Sequence, residues 1–167
     1  ANVQALRQGK QIHCLSVKSG LETSLYAASS LIGMYVKCAV IGAAHKVFSS
    51  MPERSVASMN AMIAGYAQRD HGYEALDVFR QMKVYGSEPN VVTLVSLLSG
   101  CASVGTLLHG KETHCYAIKR ILNVDGNDPG DDLMIINGLI DIYAKCKSVK
   151  VARMMFDSIA TKEKYVV

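Results

Sequence analysis

The chain has 167 residues, half of them hydrophobic, with 18 basic and 14 acidic side chains, three Pro and no Trp. That length suits one domain, and the apolar content excludes a disordered chain. No apolar run of about 18 residues occurs, which excludes a membrane-spanning helix, and a net charge of +4 is too small for a polybasic binder.

Abundant Leu, Ala, Met and Lys with few aromatics favour helices over a sandwich or barrel. Apolar periodicity predicts helices, in chain order, over 6–19, 25–38, 41–51, 59–69, 73–85, 92–103, 108–120, 133–146 and 149–159. The segment 56–90 shows the pattern most clearly. Met59, Met62, Ile63 and Tyr66 form one stripe at helical spacing, and Ala75, Leu76, Phe79 and Met82 form a second. Asp70-His71-Gly72 reads as a tight turn between them. Gly86 closes the second helix and Pro89 bars its continuation. Glu74 stands near the start of the second helix, where the helix dipole favours an anion.

The chain repeats itself. Gly9-Lys10-Gln11-Ile12-His13-Cys14 returns as Gly110-Lys111-Glu112-Thr113-His114-Cys115, a shift of 101 residues. Leu31-Ile32-Gly33-Met34-Tyr35-Val36-Lys37-Cys38 returns as Leu139-Ile140-Asp141-Ile142-Tyr143-Ala144-Lys145-Cys146, a shift of 108. The second copy therefore carries seven extra residues between Lys119 and Leu139. Asn123 to Asp132, rich in Asp, Asn and Gly, has a loop composition that suits the insertion. The long period subdivides. Leu31-Ile32-x-x-Tyr35 matches Met62-Ile63-x-x-Tyr66 at a shift of 31, and Met62-Ile63-Ala64-Gly65 matches Leu97-Leu98-Ser99-Gly100 at a shift of 35. A helical hairpin of such length buries only one face, so units of this kind stack into arrays. The expected fold is all-α: a right-handed α-solenoid of stacked helix-turn-helix units, with first helices lining the concave side.

Other patterns carry less. Cys14, Cys38, Cys101, Cys115 and Cys146 are odd in number and include no Cys-x-x-Cys, so reduced, packed thiols are expected rather than a disulfide framework. Gly105 to Lys111 has the spacing of a phosphate-binding loop, but Glu112 replaces the hydroxyl that would hold Mg²⁺ and no strand precedes it, so it reads as a turn between helices. His13-Cys14 and His114-Cys115 point to different sides of a helix and read as repeat packing rather than metal ligation. No cofactor or metal is expected. No nucleophile triad or paired-carboxylate arrangement stands out, and catalysis is not expected of these residues.

Alternating hairpins of 31 and 35 residues resemble the pentatricopeptide repeat (PPR) family in its plant PLS subclass, where P, L and S units alternate. Gly9 to His13 resembles the close of an L unit, spanning 1–24. Residues 25–55 resemble an S unit, through Leu31-Ile32-x-x-Tyr35-x-Lys37-Cys38 and Lys46-Val47-Phe48-x-x-Met51-Pro52-Glu53-Arg54. Residues 56–90 resemble a P unit, through Asn60-Ala61-Met62-Ile63 and Glu74-Ala75-Leu76. Residues 91–132 resemble an L unit with the insertion, and 133–165 a second S unit. Met59 departs from the aromatic usual at its place, and Tyr165 from a polar last residue.

The resemblance implies single-stranded RNA as partner, read at about one base per unit, in an organellar (mitochondrial or chloroplast) RNA editing or processing factor. It also implies editing-cofactor proteins as partners of L-type units. A deaminase-like domain carried by larger relatives would lie beyond Val167. In the family the fifth and last residues of a unit select the base. Here these are Asn60 with Asn90, Ser29 with Ser55, Val95 with Asp132, and Asn137 with Tyr165. Asn with Asn implies a pyrimidine, and a hydroxyl at the fifth position implies a purine. The Val95 side chain cannot hydrogen-bond, so its unit is expected to be a spacer or a weak reader. The second residues, Tyr26, Ala57, Val92 and Met134, would pack on base faces. Residues 1–60 hold six basic and two acidic side chains and 133–167 six and three, whereas 61–90 hold three and four and 91–132 three and five. Phosphates would favour the S-unit regions. Uncapped array ends are expected to self-associate. The competing reading is a peptide-binding scaffold of the tetratricopeptide type, which shares Gly65, Tyr66, Ala75 and Phe79 but keeps a constant 34-residue unit.

Overall fold

A computed structural model describes residues 3–21, 24–104, 107–123 and 129–163. Among these residues the chain forms nine helices and no strand: α1 (Val3–Lys18), α2 (Leu25–Lys37), α3 (Ile41–Ser50), α4 (Val56–Ala67), α5 (Gly72–Val84), α6 (Val91–Val104), α7 (Leu107–Asn123), α8 (Pro129–Lys145) and α9 (Val149–Glu163).

The pair α4–α5 shows why the units fold as they do. Met59, Met62, Ile63 and Tyr66 are buried along α4, and Ala75, Leu76, Phe79 and Met82 along α5. Helix α4 starts at Val56, three residues ahead of its apolar stripe, because the Ser55 side chain accepts the Ser58 N–H at 3.0 Å. Such a cap is worth about 1 kcal/mol over Ala. The turn into α5 places Asp70, not Gly72, in the left-handed region, at φ 59°. His71 N–H then reaches the Tyr66 carbonyl at 3.0 Å, and Gly72 opens α5. Ala39 and Lys147 repeat this turn at φ 68° and 59°, with Val40 N–H on Tyr35 O (2.9 Å) and Ser148 N–H on Tyr143 O (2.8 Å). At the end of α5, Gly86 takes φ 67° and Ser87 N–H closes on Met82 O at 2.9 Å. These bonds satisfy carbonyls that a helix end leaves unpaired.

The helices stack as an α-solenoid. Helix α2 packs on α4, α4 on α6, and α6 on α8, so first helices form one continuous layer. Each of α3, α5 and α7 packs on its own first helix and on the next one. One apolar core runs through both layers, including Ile32, Met59, Ile63, Phe79, Leu94, Leu98, Leu139 and Ile142. Close approach is set by small residues: a Cβ on Gly100 would lie 3.2 Å from the Ala67 Cα.

A second periodic feature joins successive units. His13 Nδ1 lies 2.8 Å from the Tyr35 hydroxyl, His45 Nδ1 2.6 Å from that of Tyr66, and His114 Nδ1 2.6 Å from that of Tyr143. Each bond runs from a second helix to the next first helix. Burial pushes the three Tyr hydroxyls above their ordinary range and holds His114 below its own.

Two expectations need correction. The loop expected over 123–132 is shorter: α7 runs through Asn123 and α8 begins at Pro129, leaving 124–128 outside the described residues. Proline's fixed φ suits the first helical position. The turn expected over 105–111 is also shorter, since Leu107 to Lys111 lie within α7, while Gly105 and Thr106 fall outside the described residues.

Candidate functional site

The sites expected at Asn60, Asn90, Ser29 and Ser55 lie along one edge of the first-helix layer. Ser55 and Asn90 immediately precede α4 and α6, while Ser29 and Asn60 lie one turn into α2 and α4. Successive first helices pack side by side, so the residue one turn into one helix meets the residue that caps the next. Ser29 Oγ and Ser55 Oγ are 3.1 Å apart, and Asn60 Nδ2 is 3.1 Å from Asn90 Oδ1.

The polarity of the Asn pair follows from a backbone group that can only donate. Thr93 N–H lies 3.0 Å from the Asn90 side chain, so the atom it meets is the amide oxygen. Asn60 must then donate to that oxygen through Nδ2, which leaves Asn60 Oδ1 facing the Thr93 hydroxyl at 2.6 Å. Thr93 in turn accepts the Asn90 backbone N–H at 3.0 Å. Asn90 and Thr93 thus form a reciprocal cap of the capping-box kind.

The Ser pair is fixed by the same logic. Ser58 N–H donates to Ser55 Oγ at 3.0 Å, and Ser29 Oγ donates to the Leu25 carbonyl at 2.6 Å. Ser29 has then used its only proton, so Ser55 donates to Ser29 across the 3.1 Å contact. Ser58 spends its own hydroxyl on the Ser55 carbonyl at 2.8 Å.

The other expected positions differ. Val95 is half-buried on α6. Asp132 lies inside the first turn of α8, not ahead of the helix as the unit boundary implied, because α8 starts at Pro129. A carboxylate there is favoured by the helix dipole. Asn137 is exposed on α8, and its expected partner Tyr165 lies outside the described residues. Tyr26, Val92 and Met134 are 86%, 59% and 53% exposed, and Ala57 is exposed as well. Three large apolar side chains thus stand in solvent at the second position of their expected units.

Reading the sequence missed Thr93 and Ser58. Both are fully buried hydroxyl residues three positions after a capping residue, and that spacing was the available signal. It also left His13 and His114 as packing residues, without their Tyr partners. Among the described residues no cluster of three His, Cys, Asp or Glu side chains could hold a metal ion, and no helix is long and apolar enough to cross a membrane.

Stacked hairpins, two successive steps of which carry a hydrogen-bonded polar pair, define a helical-repeat scaffold. The chain belongs to the pentatricopeptide repeat family. The family's sequence profile, described as PPR repeat family, matches residues 54–103. A pentatricopeptide repeat-containing protein of Arabidopsis thaliana is 45% identical, over 95% of this chain and 23% of its own length. A second from that plant, named as chloroplastic, is 39% identical over 98% of this chain and 26% of its own length. A third, named as mitochondrial, is 38% identical over 99% and 15%. The chain thus spans about a quarter or less of the length of these relatives.

Proposed function

We propose that the chain is a sequence-selective, single-stranded RNA-binding segment of an organellar RNA editing or processing factor, built from PLS-type units that each read about one base. The observation that carries this reading is the contact between fifth and last residues in two successive units, Ser29 with Ser55 and Asn60 with Asn90, each at 3.1 Å. One base edge can then touch both side chains of a pair. Exposed Tyr26 and Val92 stand at the start of α2 and α6, suited to stacking on a base face. The basic balance of residues 1–60 and 133–167 supports attraction of the phosphate backbone there, a contribution that salt weakens. Val95 offers no polar group, which supports a spacer role for its unit. Mitochondrial and chloroplastic relatives support an organellar setting.

The test is selection from randomised single-stranded RNA with this chain and its Asn60→Ala and Asn90→Ala variants. A pyrimidine preference opposite this pair is expected, and each variant should lose about 1–3 kcal/mol of discrimination there. Equal binding of every sequence by the wild-type chain would refute the proposal.

A further inference from the structure

Thr93 lies outside the pairs just described, yet it holds both members of one. Its backbone N–H fixes the Asn90 amide oxygen at 3.0 Å, and its hydroxyl reaches the Asn60 amide oxygen at 2.6 Å. The hydroxyl also lies 3.0 Å from Asn90 Oδ1. It has one proton, which goes to the nearer oxygen, and Asn90 Oδ1 is already filled by the Thr93 and Asn60 N–H groups. Thr93 itself is fully buried, so its hydroxyl cannot exchange these partners for solvent.

Counting what remains gives the chemistry of the layer. Asn90 keeps both amide hydrogens, and Asn60 keeps one hydrogen and one lone pair. The layer is therefore rich in donors and poor in acceptors. A pyrimidine edge, with its O2 acceptor and a second acceptor at N3 or O4, complements it.

We infer that Thr93 is a specificity-determining positioning residue: by clamping both amides it sets the donor-rich face that the Asn60–Asn90 pair presents to a base. This inference rests on the RNA-reading proposal above. The hydroxyl matters because Asn60 is otherwise held through a single bond to Asn90. Without it the Asn60 amide can swing, and its oxygen is left to compete for donors on any base.

The comparison uses Thr93→Val, which keeps the shape and removes the hydroxyl, and Thr93→Ser, which keeps the hydroxyl. Each is titrated with four single-stranded oligonucleotides that differ only at the nucleotide facing this pair, taken from the selection above. The readout is the affinity ratio between the preferred base and the others. Thr93→Val should compress that ratio about five-fold, the equivalent of one hydrogen bond, while Thr93→Ser retains it. A purely structural role in capping α6 would weaken all four oligonucleotides equally and leave the ratio intact. The inference is overturned if Thr93→Val keeps the wild-type ratio while Asn60→Ala abolishes it. If Asn60→Ala and Asn90→Ala also leave the ratio unchanged, the RNA-reading proposal falls, and this inference with it.

Discussion

The two polar pairs share one backbone geometry and differ in hydrogen-bond polarity. At the Asn60–Asn90 pair, Thr93 contributes a backbone N–H and a hydroxyl, and three N–H donors remain against one acceptor. At the Ser29–Ser55 pair, Ser58 turns its hydroxyl onto the Ser55 carbonyl, and Ser29 turns its own onto Leu25. Both Ser protons are then committed, and only one lone pair on each oxygen is left. One layer presents donors and the next only acceptors. Under the RNA-reading proposal, recognition is then decided by which protons and lone pairs the helix ends have already consumed, not by the residue types alone.

This contrast depends on the stack holding both pairs in register. The largest effect is therefore expected at Phe79, which is fully buried in the core and meets Tyr116 edge-on at 5.4 Å between ring centroids. Phe79→Ala should cost about 3–5 kcal/mol. Denaturant unfolding would measure it, and both layers should lose their base preference together. An unchanged unfolding midpoint would mean that the layers do not share one core.

A smaller effect separates the His–Tyr bonds between units from the polar pairs. His114 is held below its ordinary value of 6.5 by burial against α8. The unfolded chain then takes up the proton first, so stability is complete above about pH 6.5 and falls as the pH drops below it. Unfolding midpoints measured against pH should show this decline, and His114→Gln should flatten it without altering base preference at either pair. An unaltered decline in that variant would assign the loss to other groups.

Much of the architecture was legible because the repeat fixes its own register. The stripes through Met59 and Phe79, the closing Gly86, and the recurrence of Tyr35 as Tyr143 needed only spacing and composition. What escaped was decided by competition at helix ends. A cap at Ser55 extends α4 ahead of its apolar stripe, and Pro129 starts α8 inside a stretch whose Asp, Asn and Gly content reads as loop. Asp70 takes the left-handed turn position although Gly72 stands two residues on. At the candidate site, the pairing of residues 26 and 30 positions apart became visible through the family pattern. Thr93 and Ser58 recur at the 35-residue unit shift, each three positions after a cap, but their roles escaped because a small polar residue does not stand out among the apolar stripes that mark the core.

Opposite polarity is tested most directly by RNA selection with the wild-type chain and with the triple variant Ser29→Asn, Ser55→Asn, Ser58→Thr. The acceptor-only Ser pair complements guanine, whose Watson–Crick edge carries two adjacent N–H donors, and the wild-type chain should choose it there. The variant should exchange guanine for a pyrimidine at that nucleotide alone, matching the choice made by the Asn60–Asn90 pair. Selection of the same base opposite both pairs by the wild-type chain, or an unchanged preference after the exchange, would contradict it.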